Sequence, residues 1–163
     1  MNIIVAADSK WGIGYQGKLL VSIPKDMKHF KEHTTGNVIV LGRKTIETFP
    51  GGKPLPNRTN IVLSGNKNLK IEGATVVNDI PSLLEELKKY DSEKVYIVGG
   101  DSIYKQMLPY CDTAIVTKID HAYCADAFFP NLDEDSEWEI VETSDEEYYF
   151  DVTYEFVTYK RKK

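Results

Sequence analysis

The chain reads as one mixed α/β domain over residues 1–163, with a mostly parallel sheet of about eight strands, about four flanking helices and an antiparallel C-terminal hairpin. Three observations predict this. Short β-branched runs at Ile3–Ala7, Val38–Leu41, Ile61–Leu63, Thr75–Val77 and Val95–Val98 are apolar along their length, the pattern of strands buried on both faces. Helical patterns fall between several of them, and parallel neighbours need crossover helices. Last, Thr113–Ile119 is followed by strand-like stretches 138–143 and 154–160 that bracket a polar segment, so the sheet is expected to end antiparallel.

The first helix is expected over 24–34, with Ser22 and Pro24 as start signals and Ile23, Met27, Phe30 and Thr34 as an apolar stripe. Asp26 is out of place there: at about 100° per residue it falls within roughly 40° of Phe30. An acid in a first turn offsets the helix dipole, which is one reading. The other is that it borders a pocket whose ligand offers matching donors, since a buried unpaired charge is costly. A short helix is expected near 43–48, a third over 81–90 opened by Pro81, and a fourth over 101–109, with Asp101 as cap and Pro109 as stop.

Composition narrows the function. At 42% hydrophobic and 28% charged the chain can bury a core, and a net charge of −5 argues against general nucleic-acid affinity. The terminal "KRKK" and the acidic "DEDSEWEIVETSDEE" both read as solvated surface. The run "IIVAA" lacks a basic flank and meets Asp8 too soon for a signal peptide or membrane span, so a soluble cytoplasmic protein is expected. Cys111 and Cys124 have neither CxxC spacing nor a His pattern, which points to two reduced structural thiols and no metal site.

Two loops carry chemistry. "VGGDSIY", residues 98–104, sets a glycine pair between a buried strand and a helix, where backbone N–H groups can hold a phosphate; a tight turn is the alternative. "LGRKT", residues 41–45, repeats the arrangement with Arg43 and Lys44 at a helix start, where cations oppose the dipole unless an anion is present. Together they suggest a large polyanionic cofactor.

These stretches recur in order with "GIG" at 12–14, "IPKDMKHFKEHT" at 23–34, "VLGRKTIETF" at 40–49, "PLPNRTNIVLS" at 54–64, "TKID" at 117–120 and "FFP" at 128–130. In that order and spacing the chain resembles the bacterial dihydrofolate reductases over essentially its whole length. The resemblance implies NADPH-dependent reduction of dihydrofolate to tetrahydrofolate, sensitivity to antifolates, and a monomer. It implies Asp26 as the catalytic acid, acting through ordered water, and Thr117 as its hydrogen-bond partner. For substrate it implies Arg58 on the glutamate tail, Lys53 nearby, Leu19, Phe30, Phe49 and Leu55 around the rings, and Val5, Ala6 and Val98 along the pterin wall. For cofactor it implies Ala7, Ile13, Gly14, Lys18 and Leu19 near the nicotinamide, then Gly42, Arg43, Lys44, Thr45, Leu63, Ser64, Gly65 and Val98. Gly99, Gly100, Asp101, Ser102, Ile103 and Tyr104 complete that set. Arg43 with Ser64 suggests NADPH over NADH, because a ribose phosphate needs cationic and hydroxyl partners. The loop 8–20 resembles the family's mobile loop over the nicotinamide.

The chain departs from the family at two points: Leu20-Val21 stands where Pro-Trp is common, and Ala127 replaces a frequent Thr. The Trp indole anchors a water near the acid in family members, and Val21 cannot. Two other readings are a same-fold pyrimidine reductase of riboflavin synthesis, disfavoured by Asp26 with Arg58, and a non-catalytic pterin or NADP binder.

Overall fold

The computed structural model describes all residues 1–163. In chain order the strands are β1 (Asn2–Ala7), β2 (Gly12–Gly14), β3 (Val38–Gly42), β4 (Thr59–Leu63), β5 (Ala74–Val77), β6 (Val95–Gly99), β7 (Thr113–Ile119), β8 (Ala127–Phe128), β9 (Trp138–Thr143), β10 (Glu147–Tyr149) and β11 (Val152–Arg161). The helices are α1 (Pro24–Thr34), α2 (Arg43–Glu47), α3 (Ile80–Leu87) and α4 (Asp101–Met107). The main sheet runs β10-β11-β7-β1-β6-β3-β4-β5, parallel from β7 to β5. β11 is antiparallel to β7, and its outer edge is shared by β10 beside Val152–Tyr154 and β9 beside Val157–Arg161. The expected eight-stranded mixed sheet is therefore present, with its last position split between two short strands. β2 and β8 form a separate ribbon inside the loops.

Several local expectations shift. The cap of α1 is Ile23 and makes no side-chain bond; the Ser22 hydroxyl donates instead to Met27 Sδ at 3.1 Å. Met27 is exposed, and the packed face of α1 comprises Ile23, Asp26, His29, Phe30, His33 and Thr34. One step of about 100° turns Met27 off the sheet. α3 begins at Ile80, capped by Asp79, whose side chain accepts from Ser82 N–H at 2.8 Å. Its end tightens from Lys88 to Tyr90 into i→i+3 bonds to Glu85, Glu86 and Leu87, so the α geometry stops at Leu87 rather than at 90. Gly100, not Asp101, caps α4, and Leu108–Tyr110 form a 3-10 turn because Pro109 has no N–H to continue the ladder. Cys111 is a buried free thiol, but Cys124 is exposed and supports no core.

The two faces of the sheet are covered separately. On one, Ile3, Val5, Val40, Ile97 and Val116 pack with Leu83 and Leu87 of α3 and Ile103 and Met107 of α4. On the other, Ile39, Leu41 and Val62 pack with Ile46 of α2, while Ile119, Val152 and Tyr154 pack with Ile23. The chain leaves β1 through α1 towards β3, and leaves β6 through α4 towards β7. These crossovers diverge, which opens a crevice beyond the carboxyl ends of β1 and β6, where open α/β sheets bind ligands.

His29 is an acid-sensitive point in this packing. Its ring stacks on Phe156 of β11 at 4.0 Å and lies 4.3 Å from the ring of His33, and its buried Nδ1 has no hydrogen-bond partner in the protein. Burial, and then the charge of His33, pushes its pKa down from 6.5 to about 4. The folded state thus binds its proton later than the unfolded chain on acidification, so stability is full above 6.5 and is lost as pH falls through that window. His29→Phe, which keeps the stack without the titration, is expected to remove on the order of 1 kcal/mol of that acid-induced loss, discounted for partial exposure. Urea unfolding at neutral pH and near pH 4.5 measures it; parallel losses in both proteins would refute the assignment.

Candidate active site

Three strands and α1 build the acid. Ala6, Thr117 and Phe156 are register partners across β1, β7 and β11, forming one row on the face under α1. Thr117 is fully enclosed, and its hydroxyl donates to Asp26 Oδ1 at 2.5 Å. Burial raises the Asp26 pKa above the ordinary carboxylate range, and the Thr117 bond acts in the opposite sense. Oδ2 accepts from no protein group, leaving half of a semi-buried carboxylate to a ligand.

A cleft of about 370 Å³ opens between the ends of β1 and β6; Ala6, the register partner of Thr117, lines it, whereas Asp26 itself does not. Val5, Ala6 and Val98 form its wall; Ile13, Gly14, Lys18 and Leu19 come from the loop after β1; and Lys44, Thr45, Gly99, Gly100, Asp101 and Tyr104 close the far side. Tyr104 donates its hydroxyl to the Ile4 carbonyl at 2.8 Å, pinning α4 to β1, and burial drives its pKa far up. Tyr15, Gly17, Thr48, Asp126 and Ala127 also line the cleft, although sequence reading did not select them as site residues. A larger cavity of about 440 Å³ near β7 and β11 is lined mainly by polar groups, among them Asp120, Glu146 and Glu155. Its Asp8 carboxylate is already spent on the N–H groups of Lys10, Gly12 and Tyr123, so size does not choose the site here.

The loop over the cleft is anchored at its base and latched at its tip. Trp11, at φ +64, is buried against Phe129 and Tyr159. Tyr15 and Lys18 exchange both backbone hydrogen bonds across Gln16 and Gly17, at φ +50 and +78, the two-residue turn that positive φ permits. Gln16 N–H donates to Asp126 Oδ2 at 3.0 Å, and Asp126 N–H returns a bond to the Gly14 carbonyl. Leu19, from the same loop, lines the cleft and is 69% exposed.

The glycine-rich side fits a phosphate chain. A Cβ at Gly99 would lie 3.3 Å from Thr45 Oγ1 and Cγ2, a tight approach at a residue whose φ of +141 itself favours glycine, whereas one at Gly100 would make ordinary contact with that hydroxyl at 3.4 Å. No side chain caps the first N–H groups of α4, including those of Asp101 and Ser102. Gly42 and Leu63 are register partners, so Arg43 and Ser64 follow as neighbours at the ends of β3 and β4, with open space at Gly65. Ala7 and Ile103 are core side chains, and only their main chain can face a cofactor; Leu63 likewise packs on the core.

Along α1 the site continues to Arg58. Its Nε donates to the Pro56 carbonyl at 3.0 Å and its Nη1 to Thr34 Oγ1 at 3.3 Å, which seats the guanidinium at the C-terminal end of α1. From Asp26 to Thr34 the helix rises about 12 Å, with Phe30 between them and Phe49 and Leu55 packed on the α2 side of the sheet. Lys53 lies in the exposed turn beyond Phe49.

The dihydrofolate reductase family model matches residues 1–161. The dihydrofolate reductase of Bacillus subtilis (strain 168) is 36% identical over 99% of this chain and 95% of its own length. A Staphylococcus aureus dihydrofolate reductase is 36% identical over 80% of this chain and 77% of its own. Among solved structures, a dihydrofolate reductase from Enterococcus faecalis complexed with NADP(H) and RAB-propyl superposes with a TM-score of 0.87 at 37% identity, covering 99% of this chain and 96% of that one. With the family model matched over residues 1–161 and relatives matched nearly end to end, the chain belongs to the dihydrofolate reductase family.

Proposed function

We propose that this cleft reduces 7,8-dihydrofolate to 5,6,7,8-tetrahydrofolate with NADPH, and that Asp26 is the acid on which the reaction turns. The observation that carries this is the half-buried carboxylate with one oxygen fixed by Thr117 and the other free. When bound, NADPH supplies the hydride to the pterin carbon. The adjacent ring nitrogen must gain a proton, or negative charge would accumulate there. The Asp26 carboxylate accepts from the pterin amino group and ring N–H, which orients the ring and favours its protonated form through ordered water. Val5, Ala6 and Val98 flank the pterin, Phe30, Phe49 and Leu55 the aminobenzoyl ring, and the Arg58 fork the tail carboxylate, with Lys53 beside it.

Gly99 through Tyr104 with Gly42, Lys44 and Thr45 hold the cofactor phosphates, and Arg43 with Ser64 and Gly65 meets the ribose phosphate. Ala7, Ile13, Gly14, Lys18, Leu19 and Leu63 complete the cofactor site. The latch from Gln16 to Asp126 keeps water from the reacting atoms. Antifolates would compete for the free Asp26 oxygen. Two free thiols suit a reducing cytoplasm, and the protein acts there as a monomer.

Asp26→Asn is expected to keep the fold and NADPH binding while lowering turnover near neutral pH at least about a hundredfold, with partial recovery in acid, where solvent protonates substrate. Parent-like rates across the pH range would sink the role. Arg58→Leu should raise KM for dihydrofolate about tenfold or more and leave NADPH affinity nearly unchanged, since it removes a contact remote from the reacting atoms. Steady-state kinetics with NADPH titrations separates the two; equal losses would contradict the assignment.

Val21 adds a third test. It packs on the cluster of Ile23, Ile119, Val152 and Tyr154, which Tyr123 and Tyr149 crowd further. On this reading the segment is repacked around smaller apolar groups and leaves no room for an indole. Val21→Trp should cost ~1–3 kcal/mol of stability and weaken dihydrofolate binding. Thermal unfolding with single-turnover rates decides: an equally stable and faster variant would mean that a missing water anchor, not packing, limits this segment.

A further inference from the structure

We propose that Glu47 is a counter-ion that sets how strongly this protein prefers a phosphorylated over an unphosphorylated nicotinamide cofactor. The inference rests on the reading of Arg43 as the partner of the ribose phosphate. α2 opens with Arg43 and Lys44, has no acidic residue in its first turn, and its cap residue Gly42 offers no side chain. Glu47 is the only carboxylate on that helix. It reaches back one turn to Arg43 Nη1 at 2.5 Å, with the two side chains 44% and 58% exposed.

The pair leaves the guanidinium only partly engaged. Glu47 holds Nη1, and no other group in the protein accepts from this fork. Ser64 is the neighbour on the adjacent strand end, through the register of Gly42 with Leu63. Arg43 and Lys44 bring two positive charges to this corner and Glu47 subtracts one. A phosphomonoester carries a charge of about −1.5 to −2 near neutral pH, so it gains from the two cations and is repelled by the carboxylate. The ribose hydroxyl that NADH has at the same place is neutral, and a carboxylate can accept its hydrogen bond. Glu47 therefore acts with opposite signs on the two cofactors: it weakens the phosphorylated one and spares or supports the other. Removing its charge widens the preference without touching any group at the reacting atoms.

The test is equilibrium binding, followed by protein fluorescence, of NADPH, NADH, 2′,5′-ADP and 5′-AMP to the parent, Glu47→Gln, Arg43→Gln and the double variant. Glu47→Gln is expected to tighten NADPH and 2′,5′-ADP by about two- to tenfold and to steepen the loss of affinity with salt, while NADH and 5′-AMP stay level or weaken. In the Arg43→Gln background the same change should have little effect on NADPH. If Glu47→Gln weakens NADPH, the carboxylate orients Arg43 rather than opposing the phosphate, and the proposal falls. It falls also if all four ligands shift together, or if the effect survives loss of Arg43. Failure of the underlying reading looks different: Arg43→Gln would then leave the ratio of NADPH to NADH affinity unchanged. The pair is exposed, so thermal unfolding within a few degrees of the parent verifies that each variant is folded.

Discussion

The hydrogen bond from Thr117 to Asp26 is the contact around which this protein is arranged. A carboxylate is retained in a semi-buried place only if the protein supplies a donor and something else supplies the rest, because desolvation otherwise drives it to neutrality. Thr117 is held by two strand ladders, β1 on one side and β11 on the other, and is enclosed by the helix that carries the acid. Asp26 is thus fixed by the sheet as much as by its own helix. Its raised pKa is the electrostatic cost of that position, only partly offset by the Thr117 bond.

From this point α1 serves as a spacer. Its first turn presents the acid and its last turn meets Arg58 through Thr34, so an acid and a cation are separated by a rigid element rather than by a loop. The same helix presses Ile23 and His29 onto β7 and β11, and packing and function are coupled through one row of side chains. Val21 packs on the same cluster of Ile23, Ile119, Val152 and Tyr154, together with Tyr123 from the loop after β7 and Tyr149 of β10.

The other half of the crevice depends on backbone rather than on side chains. Gly99, at φ +141, and Gly100 run beside Thr45, where a Cβ at Gly99 would come within 3.3 Å of that side chain, and the α4 amides have no side-chain cap. The loop over this side is held by a few geometric devices: Asp8 gathering three N–H groups, Trp11 buried in a left-handed conformation, and Asp126 latching Gln16. The two-residue turn at Gln16 and Gly17 thus stands between fixed ends.

Much of this was legible along the chain. Apolar runs and the helices between them identify a mostly parallel sheet, because strands buried on both faces and crossovers leave local marks. Asp26 stands out as an acid beside an apolar stripe, and Gly42 and the Gly99-Gly100 pair mark strand-to-helix turns that present bare backbone. Other features had no local mark. Ser22 and Asp101 look like caps, yet Ile23 and Gly100 occupy those positions, since cap choice depends on how the preceding strand or loop enters the helix. Met27 reads as core and is exposed, because the sheet beneath α1, not the helix period, selects which face is buried. Tyr15, Gly17 and Asp126 join the cleft only through a turn and a latch linking Gln16 to Asp126, 110 residues apart. Periodicity reports which side of an element is apolar, so the sequence by itself determined the elements and the residue types of the site. Partners distant along the chain, and the direction in which each half-buried side chain points, are settled only when the strands are laid side by side, and these the tertiary structure decided.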